Sequence, residues 1–139
     1  MNQEQNHHFS IPTIYGGIKF RSRLEAAHAQ WFDEHEMIWA YESEGFNLDG
    51  LWYLPDFWLP EYNAIVEVKG ILDDSLEKVY ALNRICQPRK IYVLVSMAPA
   101  GKNWFVVLQE INWDGKIIRS DRLSSCPPPR KENRLPSYG

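Results

Sequence analysis

Three ionisable side chains on two neighbouring stretches of this chain have the types and spacing to do chemistry together. Asp56 lies in Leu54-Pro55-Asp56-Phe57, and Glu67 and Lys69 lie in Ile65-Val66-Glu67-Val68-Lys69-Gly70. The second stretch reads as a buried strand. Strand side chains alternate between faces, so Glu67 and Lys69 point one way while Val66 and Val68 point the other, into a core. Two carboxylates about 4 Å apart repel by roughly 4 kcal/mol at an effective dielectric near 20. A divalent cation would turn that repulsion into binding, and Mg²⁺ takes oxygen ligands. The chemistry this set suggests is metal-assisted attack of water on a phosphodiester.

Each residue has a plainer explanation when taken alone. Asp56 could be an ordinary turn aspartate after proline. Glu67 could be a charge on a solvated sheet face, although a glutamate in an apolar strand is almost never fully buried unless paired. Lys69 could be a strand-end surface lysine. Glu25 is a fourth candidate, and its plainer role is the third residue of a capping box opened by Ser22. A helix beside the strands could still bring Glu25 to the same place. His28, one turn further on, is expected to be a helix-face histidine rather than a ligand. There is no nucleophilic Ser or Cys motif and no phosphate-cradling glycine loop.

The elements that must position these residues follow from periodicity. Tyr15-Gly16-Gly17 signals a turn. Leu24, Ala27, His28, Trp31 and Phe32 recur at helical spacing, which predicts a helix from Ser22 to about Glu36. Ile38 to Phe46 reads as a strand, Asp49-Gly50 as a hairpin turn, and Leu51 to Trp58 as a second strand bent at Pro55. Ala64 to Lys69 is the third strand, ended by Gly70. Asp73, Asp74 and Ser75 offer a start for a helix running to about Cys86, with Pro88 beyond it. Lys90 to Ser96 is a continuous apolar strand of the kind buried on both faces. Trp104 to Ile111 and Lys116 to Ser120, joined at Asp114-Gly115, are expected to form a final hairpin. The helix between the third and fourth strands implies a crossover and a mixed sheet.

Composition bounds the possibilities. The chain has 139 residues, 45% of them hydrophobic, with six Trp, seven Tyr and six Phe. That is enough for one domain with a real core. The expected division is an arm over residues 1–12, a domain over 13–125, and a Pro-rich basic tail over 126–139. No apolar run approaches the roughly 18 residues of a membrane span, and the polar start lacks a signal peptide's hydrophobic stretch. Cys86 and Cys126 form neither a metal motif nor a disulfide framework, so a reduced, cytoplasmic protein is expected. The net charge of −3 runs against the usual basic footprint of a nucleic-acid binder. Basic residues do cluster at Lys19, Arg21 and Arg23, at Arg84, Arg89 and Lys90, and at Arg130, Lys131 and Arg134.

Ser22-Arg23-Leu24-Glu25, Pro55-Asp56 and Glu67-Val68-Lys69, in the element order α-β-β-β-α-β, resemble the PD-(D/E)xK nuclease superfamily. The resemblance covers about residues 15–96. Within that superfamily the chain looks most like phage-type endonuclease I, a Holliday-junction-resolving enzyme. The matching segments are Arg21-Ser22-Arg23-Leu24-Glu25, Tyr53-Leu54-Pro55-Asp56-Phe57-Trp58-Leu59-Pro60, and Glu67-Val68-Lys69-Gly70 ahead of Asp73-Asp74.

The resemblance implies an α/β, restriction-endonuclease-like core: a mixed central sheet flanked by helices, here with a C-terminal β-hairpin. It implies a DNA endonuclease using Mg²⁺ or Mn²⁺, with a preference for branched DNA. Asp56 and Glu67 would be metal ligands, joined by the Val68 carbonyl and by Glu25. Glu25 would bind metal or position water, and Lys69 would orient or deprotonate the attacking water. Lys19, Arg21 and Arg23 would contact the DNA backbone. A homodimer is the implied assembly, and the host cytoplasm the implied location if the chain is phage-encoded. The family is markedly basic, and this chain is not. The same signature also resembles the end-cleaving subunits of some transposons. A nuclease fold reused for binding, or a subunit active only within a larger assembly, is therefore the competing expectation; Trp104 and Trp113 would then be contact points, although core or hairpin packing is the expected role of both.

Overall fold

The computed structural model describes residues 11–70, 76–107, 110–111 and 117–119. Its centre is a five-stranded mixed sheet with one helix against each face, an α/β arrangement. In chain order the elements are β1 (Thr13–Tyr15), β2 (Ile18–Phe20), α1 (Arg23–Glu34), β3 (Ala40–Tyr41), β4 (Phe46–Leu48), β5 (Leu51–Tyr53), β6 (Phe57–Leu59) and β7 (Ala64–Lys69). These are followed by α2 (Leu76–Cys86), a 3₁₀ turn (Gln87–Arg89), β8 (Tyr92–Met97), β9 (Asn103–Val106), β10 (Glu110–Ile111) and β11 (Ile117–Arg119). The central sheet has the order β3-β6-β7-β8-β9. Only its β7–β8 pair is parallel, with Val66 opposite Leu94 and Val68 opposite Ser96. A parallel pair needs a crossover, and α2 supplies it.

The sheet is covered on both faces, so its central strands are apolar throughout. Ala64 and Val66 on β7 and Leu94 on β8 join Phe20, Ala29 and Phe32 in one cluster. Ile65, Val93 and Val95 point the other way, to Val79, Leu82 and Cys86 of α2. The expected strand from Ala64 to Lys69 is the observed β7, and β8 is buried on both faces as its sequence implies.

Helix α1 starts where Ser22 caps it, the Ser22 hydroxyl accepting from the Glu25 N–H at 3.1 Å. The reciprocal half of a capping box is replaced, because the Glu25 carboxylate accepts from the Tyr41 hydroxyl instead. The helix ends at Glu34, earlier than expected. Glu36 adopts φ 56°, and the N–H groups of Glu36 and Met37 return to the carbonyls of Asp33 and Phe32. This is a left-handed C-terminal cap with glutamate where glycine is usual.

Several expected strands differ. Ile38 to Phe46 is not one strand: Glu42 takes φ 50°, and β3 and β4 on either side join different sheets. Leu51 to Trp58 also splits at Leu54-Pro55-Asp56. β5 pairs with β4 across Asp49-Gly50, while β6 enters the central sheet. Trp104 to Ile111 divides too. Its first part is β9, which turns back from β8 at Gly101 (φ 86°) and closes the central sheet, while β10 pairs with β11. Tyr15-Gly16-Gly17 is a turn as expected, and it joins β1 to β2. The expected helix start Asp73-Asp74-Ser75, the Asp114-Gly115 turn, the residues of the 1–12 arm before Ile11, and the 126–139 tail lie outside the described residues. No helix among the described residues is long and apolar enough to cross a membrane.

Candidate active site

Pro55 explains how Asp56 leaves the sheet. β6 and β7 pair in register from Leu59–Ala64 to Phe57–Val66. The next residues of β6 would be Asp56 and Pro55, and proline has no N–H to give the ladder. The strands part there, and the Asp56 side chain takes over. Its Oδ2 accepts the Val68 N–H at 2.8 Å. Its backbone N–H donates to Glu67 Oε2 at 3.3 Å, and its carbonyl accepts the Glu42 N–H at 2.9 Å. The bend expected from the sequence thus aims a carboxylate at the end of β7.

Glu67 continues the row of Ile65 on β7, and Lys69 follows two residues later on the same face. Glu67 is 4% exposed, Asp56 4% and Glu25 8%, so all three acids are buried. Glu67 also accepts a hydrogen bond from the Tyr53 hydroxyl. Glu25, in the first turn of α1, reaches the group from the other side and raises the Asp56 pKa by its charge. Lys69 is half-buried and acts electrostatically on Glu67. Val68 contributes its N–H to Asp56.

The protonation behaviour follows from burial. Desolvation pushes the Asp56 carboxyl well above its ordinary range, and the charges of Glu67 and Glu25 push it further. The Val68 N–H and Arg21 oppose that rise. Desolvation pushes Glu67 up to about 7, against the pull of Tyr53, Lys69, the Asp56 N–H and Arg21. Two carboxylates held this way titrate as a pair. The neighbouring phenols are raised as well. For Tyr53 the main cause is burial, followed by the charge of Glu67, and for Tyr41 burial and the Glu25 hydrogen bond push it to about 12.

The three basic residues expected to touch DNA separate. Lys19 on β2 and Arg23 at the start of α1 are exposed. Arg21 turns inward. Its Nη2 donates to Asp56 Oδ1 at 2.8 Å and lies 4.0 Å from Glu25 Oε2, and its Nε is 2.7 Å from Glu42 Oε2. Its backbone N–H donates to the Tyr41 hydroxyl at 3.2 Å. Burial works against its charge, but Tyr41, Glu25, Asp56 and Glu42 outweigh that and keep it cationic.

Tyr41, Glu42 and Tyr53 are the members of this network that periodicity does not single out. The only advance signal was Tyr53, two residues before Pro55 in the segment that carries the resemblance.

The donors suit a hard divalent cation in kind, since Asp56 and Glu67 are buried acids whose charges are costly together. Their placement is a different matter. Among the described residues no three acid, imidazole or thiol groups converge on one point as a metal centre would require. Arg21 stands among the acids instead.

His28 is a core residue. It is fully buried beside Phe32 and Trp104, its Nδ1 2.8 Å from the Leu24 carbonyl and its Nε2 2.7 Å from Ser96 Oγ. Nδ1–H must therefore donate to the carbonyl, leaving Nε2 to accept from the serine. Burial lowers its pKa and keeps it neutral. Trp104 packs on Trp31 and Phe32 in the same cluster, and Trp113 is outside the described residues. Cys86 is buried and unpaired, its thiol pushed up to about 11 by burial.

No protein-family model matches the chain, and no curated protein matches it.

Proposed function

We propose that the protein is a Mg²⁺- or Mn²⁺-dependent endonuclease that hydrolyses DNA phosphodiester bonds, built on a restriction-endonuclease-like core. The observation that carries this reading is that Glu25, Asp56 and Glu67 are all buried, the charges of Glu25 and Glu67 both acting on Asp56 beside β7, with Lys69 on the same strand face as Glu67. Three neighbouring buried acids disfavour the fold unless a cation offsets their charge. Asp56 and Glu67 would hold the metal, with Glu25 beside them. A bound divalent ion would acidify a water and neutralise charge on the scissile phosphate. Lys69 would orient or deprotonate that water. Tyr53 fixes the Glu67 carboxylate, and the Val68 N–H fixes Asp56. Exposed Lys19 and Arg23 would meet the DNA backbone, which positions DNA without reading its sequence. Branched DNA is the proposed preferred substrate, and a homodimer the proposed assembly.

A second reading has one observation in its favour. Arg21 already neutralises Asp56, as expected if the acids had been retired into a structural ion-pair centre of a binding module or a dependent subunit.

Cleavage of a labelled four-way junction and a matched linear duplex separates the two. Wild type should cut in Mg²⁺ or Mn²⁺ and not in EDTA, and Lys69→Ala should lose at least about a hundredfold of that rate. Faster cutting of the junction would support the branched preference. Complete inertness of the folded wild type with every metal and substrate would favour the binding module.

A further inference from the structure

The β4–β5 hairpin presents a face that the proposed chemistry does not use. Phe46 and Leu48 are buried in the cluster that α2 covers, so the alternating residue Asn47 and its cross-strand partner Trp52 point outward. Trp52 is 67% exposed, and Leu51 and Leu54 on either side of Trp52-Tyr53 are exposed as well. The indole is nevertheless seated. A side chain at Gly45 would strike its six-membered ring, so the ring rests against the Gly45 backbone and leaves the rest of its surface to solvent.

The charge around this ring has one sign. From Glu36 to Val68 the sequence holds seven acidic side chains and no Lys, Arg or His. Glu44, beside Gly45, and Asp49, at the hairpin turn, are both exposed. The basic groups that reach the hairpin from elsewhere are already engaged, Arg21 with Glu42 and Arg89 over the ring of inward-facing Phe46. A surface of this sign repels a phosphate backbone and attracts cationic groups. An exposed aromatic ring among acids suits a proline-rich basic segment. Proline rings, their φ already fixed, pack on the indole at low entropic cost, and the acids take the Lys or Arg that follows. The chain carries such a segment in Pro127-Pro128-Pro129-Arg130-Lys131, outside the described residues. The seven residues between Arg119, at the end of β11, and Pro127 allow a reach of roughly 25 Å, comparable with the width of a small domain.

We infer that the Trp52 face of the β4–β5 hairpin is a docking site for a proline-rich basic segment, and that Pro127-Pro128-Pro129-Arg130-Lys131 of this chain is its occupant. The site uses none of the acids beside β7, so it stands whether or not the nuclease reading does.

The test is fluorescence anisotropy of a labelled peptide with the sequence of residues 127–134, titrated with full-length proteins whose folding is checked by circular dichroism. The triple variant Pro127→Ala, Pro128→Ala, Pro129→Ala should bind the peptide. Wild type should bind it roughly tenfold more weakly, because its own tethered segment competes at about millimolar effective concentration. Adding Trp52→Ala to the triple variant should weaken binding at least about tenfold. Adding Glu44→Gln and Asp49→Asn instead should weaken it on the order of fivefold and flatten its salt dependence. Equal affinity of wild type and the triple variant overturns the chain's own segment as the occupant. Peptide binding that Trp52→Ala leaves unchanged, or no peptide binding by the folded triple variant, overturns the site itself. Binding of a single-stranded oligonucleotide in place of the peptide, lost on Trp52→Ala, overturns it in favour of a base-stacking platform.

Discussion

At the scale of single residues, the site is a balance between buried negative charge and the few groups that offset it. Glu67 shows the sign of that balance. Its folded pKa, about 7, lies above the ordinary 4.5. The folded state therefore binds its proton more tightly than the unfolded chain does. Stabilisation from this group is full below about pH 4.5 and is lost as the pH rises through about 7. Asp56 is shifted in the same direction and adds to the trend. Replacing Glu67 by Gln keeps an acceptor for Tyr53 and removes the charge. Urea denaturation should find Glu67→Gln more stable than wild type by roughly 1–3 kcal/mol at pH 8, and nearly equal to it at pH 5. A uniform destabilisation at both pH values would mean that Glu67 is held by compensating contacts rather than strained by burial. Metal binding needs the ionised acids, so the rise in melting temperature with millimolar Mg²⁺ should be larger at pH 8 than at pH 5.5.

At the scale of elements, the legible part of the fold is the part whose local pattern and tertiary role agree. The buried strand β7 follows from its sequence, and so does the two-faced burial of β8. The misread strands share a cause. Each crosses a point where the backbone leaves the ladder for a reason that hydrophobic pattern does not carry. At Pro55 the missing N–H breaks pairing, and at Glu42 a positive φ diverts the chain. At Gly101 a turn sends β9 back into the central sheet, and Pro99-Ala100-Gly101 is its signal in the sequence. The types and spacing of Asp56 and Glu67 single out two acids that the fold buries side by side, whereas nothing in the sequence says that the Arg21 side chain folds back onto Asp56.

Two element-scale predictions follow from the helix that carries Glu25. Glycine adopts the left-handed conformation without the side-chain penalty that Glu36 bears, so Glu36→Gly should stabilise the protein by about 1 kcal/mol in urea denaturation. His28→Ala should cost about 2–4 kcal/mol, because it empties a fully buried site and leaves the Ser96 hydroxyl without its partner. A cost under about 1 kcal/mol would show that the His28–Ser96 link is not what ties α1 to β8.

At the scale of the molecule, a two-sided sheet places the acids where its layers meet. α1 brings Glu25 and, just before its cap, Arg21. The central strands bring Asp56, Glu67 and Lys69, and the β4–β5 hairpin brings Tyr53. The net charge of −3 gives no broad electrostatic pull on DNA. On the proposed function, DNA affinity would have to come from local groups such as Lys19 and Arg23 and from acids neutralised by a metal, and binding without a divalent ion should be weak and strongly salt-dependent. The most direct test of the central claim is nicking of a closed circular plasmid by wild type, Asp56→Asn and Glu67→Gln, each confirmed folded, in Mg²⁺ and in EDTA. Wild type should nick only in Mg²⁺, and either variant should lose at least about a hundredfold of that rate. Equal nicking by Asp56→Asn and wild type, or undiminished nicking in EDTA, would contradict the proposed metal-dependent nuclease.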